Sequence, residues 1–90
     1  VGGSTARALA GVLADLAATH QVIVVTHLAQ VAVMADKHYV VSKEPGDVPQ
    51  THLDEVTGEA RTAEIARMLS GDQSEASLAH AKQMLEEARG

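Results

Sequence analysis

The sequence contains no cysteine, phenylalanine or tryptophan, and only one tyrosine. Without cysteine, the chain forms neither disulfide bonds nor thiolate metal ligands. Without large aromatic side chains, its core must be built from Ala, Val, Leu, Ile and Met, which bury less apolar surface each. A chain of 90 residues also buries only about 60–65% of the surface of its unfolded form. We therefore expect one domain or less.

Further absences exclude other classes of protein. No apolar run approaches the length of a membrane span, and the first four residues do not resemble a targeting signal. The net charge is −5, and the seven basic residues are scattered along the chain. A surface that binds the nucleic acid backbone is therefore not expected here. The chain does not begin with Met, and we expect a fragment or a processed product.

Common catalytic and metal-binding motifs are also missing. The phosphate-binding loop GxxxxGK[ST] does not occur, and neither does the GxSxG nucleophile elbow. Five histidines are present, but none forms the i, i+4 helical pair that binds zinc well, so we expect no metal site. These histidines are His20, His27, His38, His52 and His80.

Hydrophobic periodicity predicts four helices, over residues 4–19, 28–34, 60–69 and from about residue 75 onward. Ser4 or Thr5 is placed to cap the first helix and Ser74 the last, while Gly71 is placed to end the third in a left-handed conformation. The first helix should carry one apolar stripe, made of Leu9, Val12, Leu13, Leu16 and Ala17.

The same pattern predicts strands over residues 21–26, 38–43 and 51–56, with a loop over residues 44–49. Residues 22–25 form an unbroken β-branched run, which is typical of a parallel strand buried on both faces. A helix followed directly by such a strand indicates the α/β fold class.

The end of this strand, Thr26-His27, is the most informative local feature. Ligands bind at the carboxyl ends of strands in open α/β sheets. A neutral imidazole donates one hydrogen bond and accepts another, which suits contact with a terminal phosphate and a water molecule. The alternative is a polar residue that merely ends a strand, and the pattern alone leaves both interpretations open.

Two other features have a functional and a structural interpretation. Val1-Gly2-Gly3 leads into a helix, and helix N-termini preceded by glycines bind anions, but a flexible lead-in explains the glycines equally. Glu64 is spaced to pair with Arg61 or Arg67 on a helix. That face is either solvated or docked onto another part of a larger protein.

Taken together, these segments resemble the RecN family, in the SMC-like branch of ABC-type ATPases. The Thr-His block is common to many ABC ATPases, whereas the Glu-Ile-Ala-Arg-Met-Leu block is specific to RecN. The likeness departs at Ala29, where the family usually has Pro, and over residues 44–58, which match poorly. The matching positions are residues 20–28, 30–32, 35–36 and 64–71, with Lys43 and Arg61.

The resemblance implies that residues 1–90 are the C-terminal part of a P-loop ABC/SMC-type ATPase head and not a complete domain. It implies ATP with Mg²⁺ as the cofactor and His27 as the switch histidine that senses the γ-phosphate. Val1, Gly2 and Gly3 match the end of the D-loop, near ATP across the head dimer. The phosphate loop, signature motif and Walker B acids would lie upstream, so we expect the fragment alone to be inactive.

The implied function is DNA double-strand-break repair and recombination in the bacterial cytoplasm, at the nucleoid. The implied partners are the rest of the head, a second head in an ATP-sandwiched homodimer, and DNA through other parts of the protein, without a membrane. One alternative is the tail of an ABC transporter ATPase, which Ser42-Lys43-Glu44-Pro45 disfavours because transporters usually have a Gly-containing turn there. Another is a small non-enzymatic α/β interaction module.

Overall fold

A computed structural model describes residues 2–89. The elements in chain order are α1 (Gly3–Ala17), α2 (Ala29–Ala32), β1 (His38–Glu44), β2 (Gln50–Val56), α3 (Gly58–Ser70) and α4 (Glu75–Arg89). β1 and β2 form an antiparallel hairpin, in register from His38 opposite Val56 to Glu44 opposite Gln50. The chain is therefore a mixed helix and strand structure, and the four predicted helices and the two later strands are confirmed.

The prediction of a buried parallel strand over residues 21–26 is wrong for this chain. The segment has no regular secondary structure, and Ile23 and Val25 are 85% and 96% exposed. A parallel strand needs a hydrogen-bonding neighbour that runs in the same direction. Within residues 2–89 the two strands pair only with each other, so this β-branched run has no sheet to join.

The hydrophobic core lies where α2, α3 and α4 meet. Ile65 of α3 is the one large side chain that is fully buried among the described residues. The other buried members of the core are alanines and one valine, so the core buries little apolar area, and hydrophobic stabilisation scales with that area. The other core residues are Ala29, Ala32, Val33, Ala66 and Ala81, with Met68, Leu69, Leu78, Met84, Leu85 and Ala88 partly buried around them.

The helix ends agree with the sequence at α3 and α4 but not at α1. α3 is followed by Gly71 at φ 77°, as predicted, and the Gly71 N–H donates to the Arg67 carbonyl at 2.7 Å. The Ser74 hydroxyl accepts the Ser77 N–H at 3.3 Å, which caps α4. The prediction of Ser4 or Thr5 as the cap of α1 is wrong, because Gly2 holds that position without a side-chain cap.

α1 leaves much of its apolar stripe in solvent. Its buried residues are Ala6 and Ala10, whereas Leu9, Val12 and Leu16 are between 45% and 64% exposed. The reason is that α1 packs mainly against α2, which has only four residues and covers a small part of the longer helix. The predicted stripe is present, but the described residues do not bury it.

Candidate functional site

His27 lies in the turn that leads into α2. The Thr26 hydroxyl accepts the Leu28 N–H at 3.0 Å, and the Leu28 carbonyl accepts the N–H groups of Val31 and Ala32, both at 3.1 Å. These bonds fix the backbone on both sides of His27, while the residue itself is exposed. The Thr26 hydroxyl is engaged in the turn, so His27 is the side chain of this pair that is presented to solvent.

The glycines of the predicted D-loop begin α1. Gly2 is the N-cap, with φ −71° and ψ 158°, and Gly3 is the first helical residue; Val1 lies outside the described residues. Because Gly2 provides no side-chain cap, first-turn N–H groups of α1 remain for solvent or an anion. A Cβ built on Gly2 meets nothing within 4 Å. Packing within residues 2–89 therefore does not require glycine there.

The two predicted site segments lie at the beginnings of neighbouring helices. Gly2 and Gly3 open α1, His27 precedes α2, and the two helices contact each other. Neither segment lines the cavities of about 1200 and 480 Å³ among the described residues. The structure therefore holds both segments on one pair of helices, outside these two cavities.

Arg61 makes a contact that the sequence analysis missed. Its Nη2 donates to the Ala32 carbonyl at 3.2 Å and to the Ala35 carbonyl at 2.8 Å. The Ala32 carbonyl is at the C-terminal end of α2 and also accepts the Ala35 N–H at 3.2 Å. The Ala35 carbonyl lies just beyond the helix. Arg61 thus connects α3 to the helix that follows His27. The sequence predicts Arg61 as a possible partner for Glu64 and as one of the positions of the family resemblance, and not as a donor to α2.

Glu64 pairs with Arg67, the other partner that the spacing allowed. Arg67 Nε donates to both carboxylate oxygens, at 3.1 and 3.0 Å, and Arg67 Nη2 also donates to Oε1. The Glu64 side chain is only 14% exposed and that of Arg67 is 55% exposed. The hydrogen bond to Glu64, and then its charge, raise the pKa of Arg67. This face of α3 is therefore not the fully solvated one that the sequence allowed.

His38, at the start of β1, lies close to the charge of Arg61. Burial, and then the charge of Arg61, lower the pKa of His38, while Glu64 acts in the opposite direction. Burial, and then the charge of Arg89, lower the pKa of Arg61, which Asp36 opposes. His38 Nδ1 and Arg61 Nε are buried without hydrogen-bond partners among the described residues. His38 is consequently neutral at pH 7.

A wide open cavity of about 1200 Å³ lies between the hairpin, α3 and α4. Its walls carry both signs of charge, with Arg61, Lys82 and Arg89 of one sign and Glu55 and Glu59 of the other. A smaller groove of about 480 Å³ lies among α1, α2 and α4. The mixed charge of the larger cavity favours neither an anion nor a cation.

Two other kinds of feature are absent from residues 2–89. No group of three or more His, Cys, Asp or Glu side chains is arranged to hold a metal ion in this range. Across the same residues, every helix is too short or too polar to cross a membrane.

The sequence is similar to proteins described as DNA repair protein RecN. It is 51% identical over 86 residues to the protein of Deinococcus radiodurans, covering 94% of this chain and 15% of that protein. It is 48% identical over 87 residues to the protein of Treponema pallidum, covering 94% and 15%. For Mycobacterium tuberculosis the identity is 48% over 90 residues, covering 99% and 15%.

The chain thus spans about 15% of the length of the relatives that it matches. The matched part corresponds to their C-terminal segment. No protein-family profile matches the chain. The resemblance drawn from the Thr-His and Glu-Ile-Ala-Arg-Met-Leu blocks is confirmed by these relatives.

Proposed function

Because this chain is homologous to the C-terminal segment of the RecN DNA repair proteins, we propose that it forms part of the ATP-binding and ATP-hydrolysing head of a RecN-type protein. Such a protein would act in DNA double-strand-break repair and recombination. The observation that supports this proposal is the turn at Thr26-His27-Leu28, which presents an exposed imidazole directly before α2. The identity with RecN proteins favours this function over a transporter ATPase.

In this proposal, residues 21–26 become a parallel strand when the rest of the head lies beside them. The support is the exposure of an apolar run: Ile23 is 85%, Val24 45% and Val25 96% exposed. Burying a side chain of this size contributes about 1.5–3 kcal/mol. Burial of this apolar segment against another part of the head is therefore favourable. A neighbouring strand would also satisfy its backbone hydrogen-bonding groups.

ATP with Mg²⁺, when bound, would supply the γ-phosphoryl group for transfer to water. His27 would donate a hydrogen bond to the terminal phosphate, which a neutral imidazole can do while it accepts another. Gly2 and Gly3, with Val1, would lie near the nucleotide of a second head in a homodimer, because the N–H groups at the start of α1 favour an anion. DNA would be bound by other parts of the protein.

This chain contains no phosphate loop, and phosphoryl transfer needs both a phosphate cradle and a bound Mg²⁺. The proposal is therefore tested in a chimera, in which these 90 residues replace the matching segment of Deinococcus radiodurans RecN. The chimera should hydrolyse MgATP, and the isolated chain should release no phosphate above the buffer background.

In the chimera, His27→Ala should lower ATP turnover by about 10²–10³-fold, the usual effect of losing one preorganised donor to a transition-state oxyanion. Nucleotide affinity should change little, because other residues would provide most ground-state contacts. His52→Ala is the matched control, since His52 is exposed on β2 and pairs with Glu44. A folded His27→Ala chimera with the turnover of the control would refute the role of His27.

A further inference from the structure

α2 is too short to hold its own conformation. It has four residues, and no basic residue lies in its last turn. Forming a first helical turn fixes several backbone dihedrals for a single hydrogen bond, so short isolated helices are unstable in water. The residue at its C-terminal cap, Val33, continues in the right-handed helical region and does not provide the turn with which glycine commonly ends a helix. Its terminal carbonyls accept only local backbone N–H groups, from residues 33–35. A contact from elsewhere in the chain is therefore needed to hold this single turn in place.

Arg61 provides this contact from 29 residues further along the chain, as a second donor to the Ala32 carbonyl beside the Ala35 N–H. One Nη2 atom reaches both the Ala32 and the Ala35 carbonyl, at 3.2 and 2.8 Å. Hydrogen bonds from a charged donor are roughly twice as strong as neutral ones. Arg61 is partly buried, so water competes less for its guanidinium than for that of an exposed arginine.

α3 holds α2 by packing as well as by this capping contact. Ala29 and Ala32 of α2 belong to the same core cluster as Ile65 and Ala66 of α3. The packing restrains one side of α2, whereas the bonds from Arg61 restrain its C-terminal end. Its other end starts at Leu28, the residue directly after His27. Movement of α2 along or about its axis would therefore move His27.

We propose that Arg61 is a positioning residue, which fixes α2 through the Ala32 and Ala35 carbonyls and thereby sets the orientation of His27. This inference rests on the proposed function for the importance of His27, but the mechanical link is a property of this chain alone. Arg61 contacts backbone oxygens and acts on the site only through α2.

The test is amide hydrogen exchange and histidine-selective nuclear magnetic resonance on the chimera with Deinococcus radiodurans RecN, without nucleotide. Arg61→Ala should raise amide exchange at Val33 and Met34 about 10- to 100-fold. This factor corresponds to the stabilisation that α2 loses with its hydrogen bonds to a charged group. The imidazole signal of His27 should shift or broaden in the same variant, while amide exchange in α4 stays unchanged. Arg61→Lys keeps a charged donor, so its amide exchange and its His27 signal should lie between those of the wild-type protein and those of Arg61→Ala.

Arg67→Ala is the matched control, because Arg67 is on the same helix and bonds only to Glu64 among the side chains of the described residues. It should leave α2 and the His27 signal unchanged. Equal exchange increases in α2 and α4 on Arg61→Ala, or an unchanged His27 signal, would overturn the proposal. If Arg61→Ala does not fold, Arg61→Met, which keeps an unbranched side chain without a donor, replaces it. A wild-type His27 signal and wild-type α2 exchange in Arg61→Met would then overturn the proposal.

These measurements separate this inference from the proposed function. They detect the position of His27 and the stability of α2 and do not depend on ATP. Suppose that Arg61→Ala leaves α2 and the His27 signal unchanged, while His27→Ala strongly lowers ATP turnover in the chimera. The proposed function then stands without this positioning role. If Arg61→Ala does disturb α2 and His27 but the His27→Ala chimera keeps full turnover, the positioning link stands and the proposed role of His27 fails.

Discussion

At the scale of single residues, His38 has surroundings that oppose its protonation. Its pKa is lowered by burial and by the charge of Arg61, so the folded chain takes up this proton at a lower pH than the unfolded chain, which does so near pH 6.5. The unfolded state therefore binds more protons just below pH 6.5. The stability associated with neutral His38 is full above that pH and is lost as the pH falls through the lowered pKa of the folded state.

A His38→Gln variant should remove this part of the pH dependence. The urea midpoint of the wild-type chain should fall further than that of the variant between about pH 7.5 and pH 5.5, a range that spans the ordinary histidine pKa. Circular dichroism at both pH values measures the midpoints. His80→Gln, at an exposed position on α4, is the control. Equal falls in the wild-type chain and the His38→Gln variant would contradict the role of His38.

The difference between His27 and Arg61 shows which residues a sequence can identify. His27 follows a β-branched run, and the order of residues alone marks it as a candidate. The acceptors of Arg61 are backbone carbonyls 29 and 26 residues away. A carbonyl is present at every position, so no pattern of side chains indicates which one an arginine will find. The pairing of Arg61 with α2 required the structure.

At the scale of elements, the sequence predicts helices better than strands, because a helix is made of local hydrogen bonds and a strand needs a partner from elsewhere. The bonds of α3 and α4 lie within each helix, so the periodicity and the caps at Gly71 and Ser74 were enough to place them. The β1–β2 hairpin joins strands that are close in sequence, and it was also found. Residues 21–26 have the composition of a strand, but a strand needs a hydrogen-bonded neighbour, and residues 2–89 provide none for this segment.

Two glycines should respond in opposite directions to replacement by alanine. Gly71 ends α3 at φ 77°, where a Cβ is strained, so Gly71→Ala should destabilise the chain by about 1 kcal/mol. Gly11 lies inside α1, and a Cβ there meets nothing within 4 Å. Gly11→Ala should therefore stabilise the chain by about 0.5–1 kcal/mol. Urea unfolding of both variants measures the two changes.

The opposite signs serve as mutual controls, because both substitutions add the same methyl group. Destabilisation by Gly11→Ala would mean that α1 is not a helix throughout residues 3–17. An unchanged free energy of unfolding for Gly71→Ala would mean that α3 does not end in the left-handed conformation.

At the scale of the whole molecule, a small core coexists with several exposed apolar segments. The core has one fully buried large side chain among the described residues, while α1 and residues 21–26 keep apolar surface in solvent. Exposed apolar segments with unpaired backbone groups tend to associate with other chains. The isolated chain should therefore be marginally stable or self-associating. A sharp unfolding transition of a clean monomer would favour the independent interaction module instead.

Val25→Lys should reduce this association, because a charge on an unpaired segment opposes strand addition. Sedimentation should show a larger monomer fraction than for the wild-type chain, and the variant should bind less of an apolar dye. Val48→Lys is the matched control, since Val48 is 79% exposed in the loop between β1 and β2. If both variants associate as the wild-type chain does, residues 21–26 are not the surface responsible.

The irregular segment over residues 21–26 also divides the polypeptide unequally. On one side lies α1, whose main contact is with α2; on the other lie all the members of the α2–α3–α4 core cluster. Proteases cleave preferentially at exposed, irregular backbone. A single cleavage here would release a peptide that carries α1 and leave the core cluster whole. The segment is therefore a natural place to split the chain into two pieces and to ask whether they reassemble.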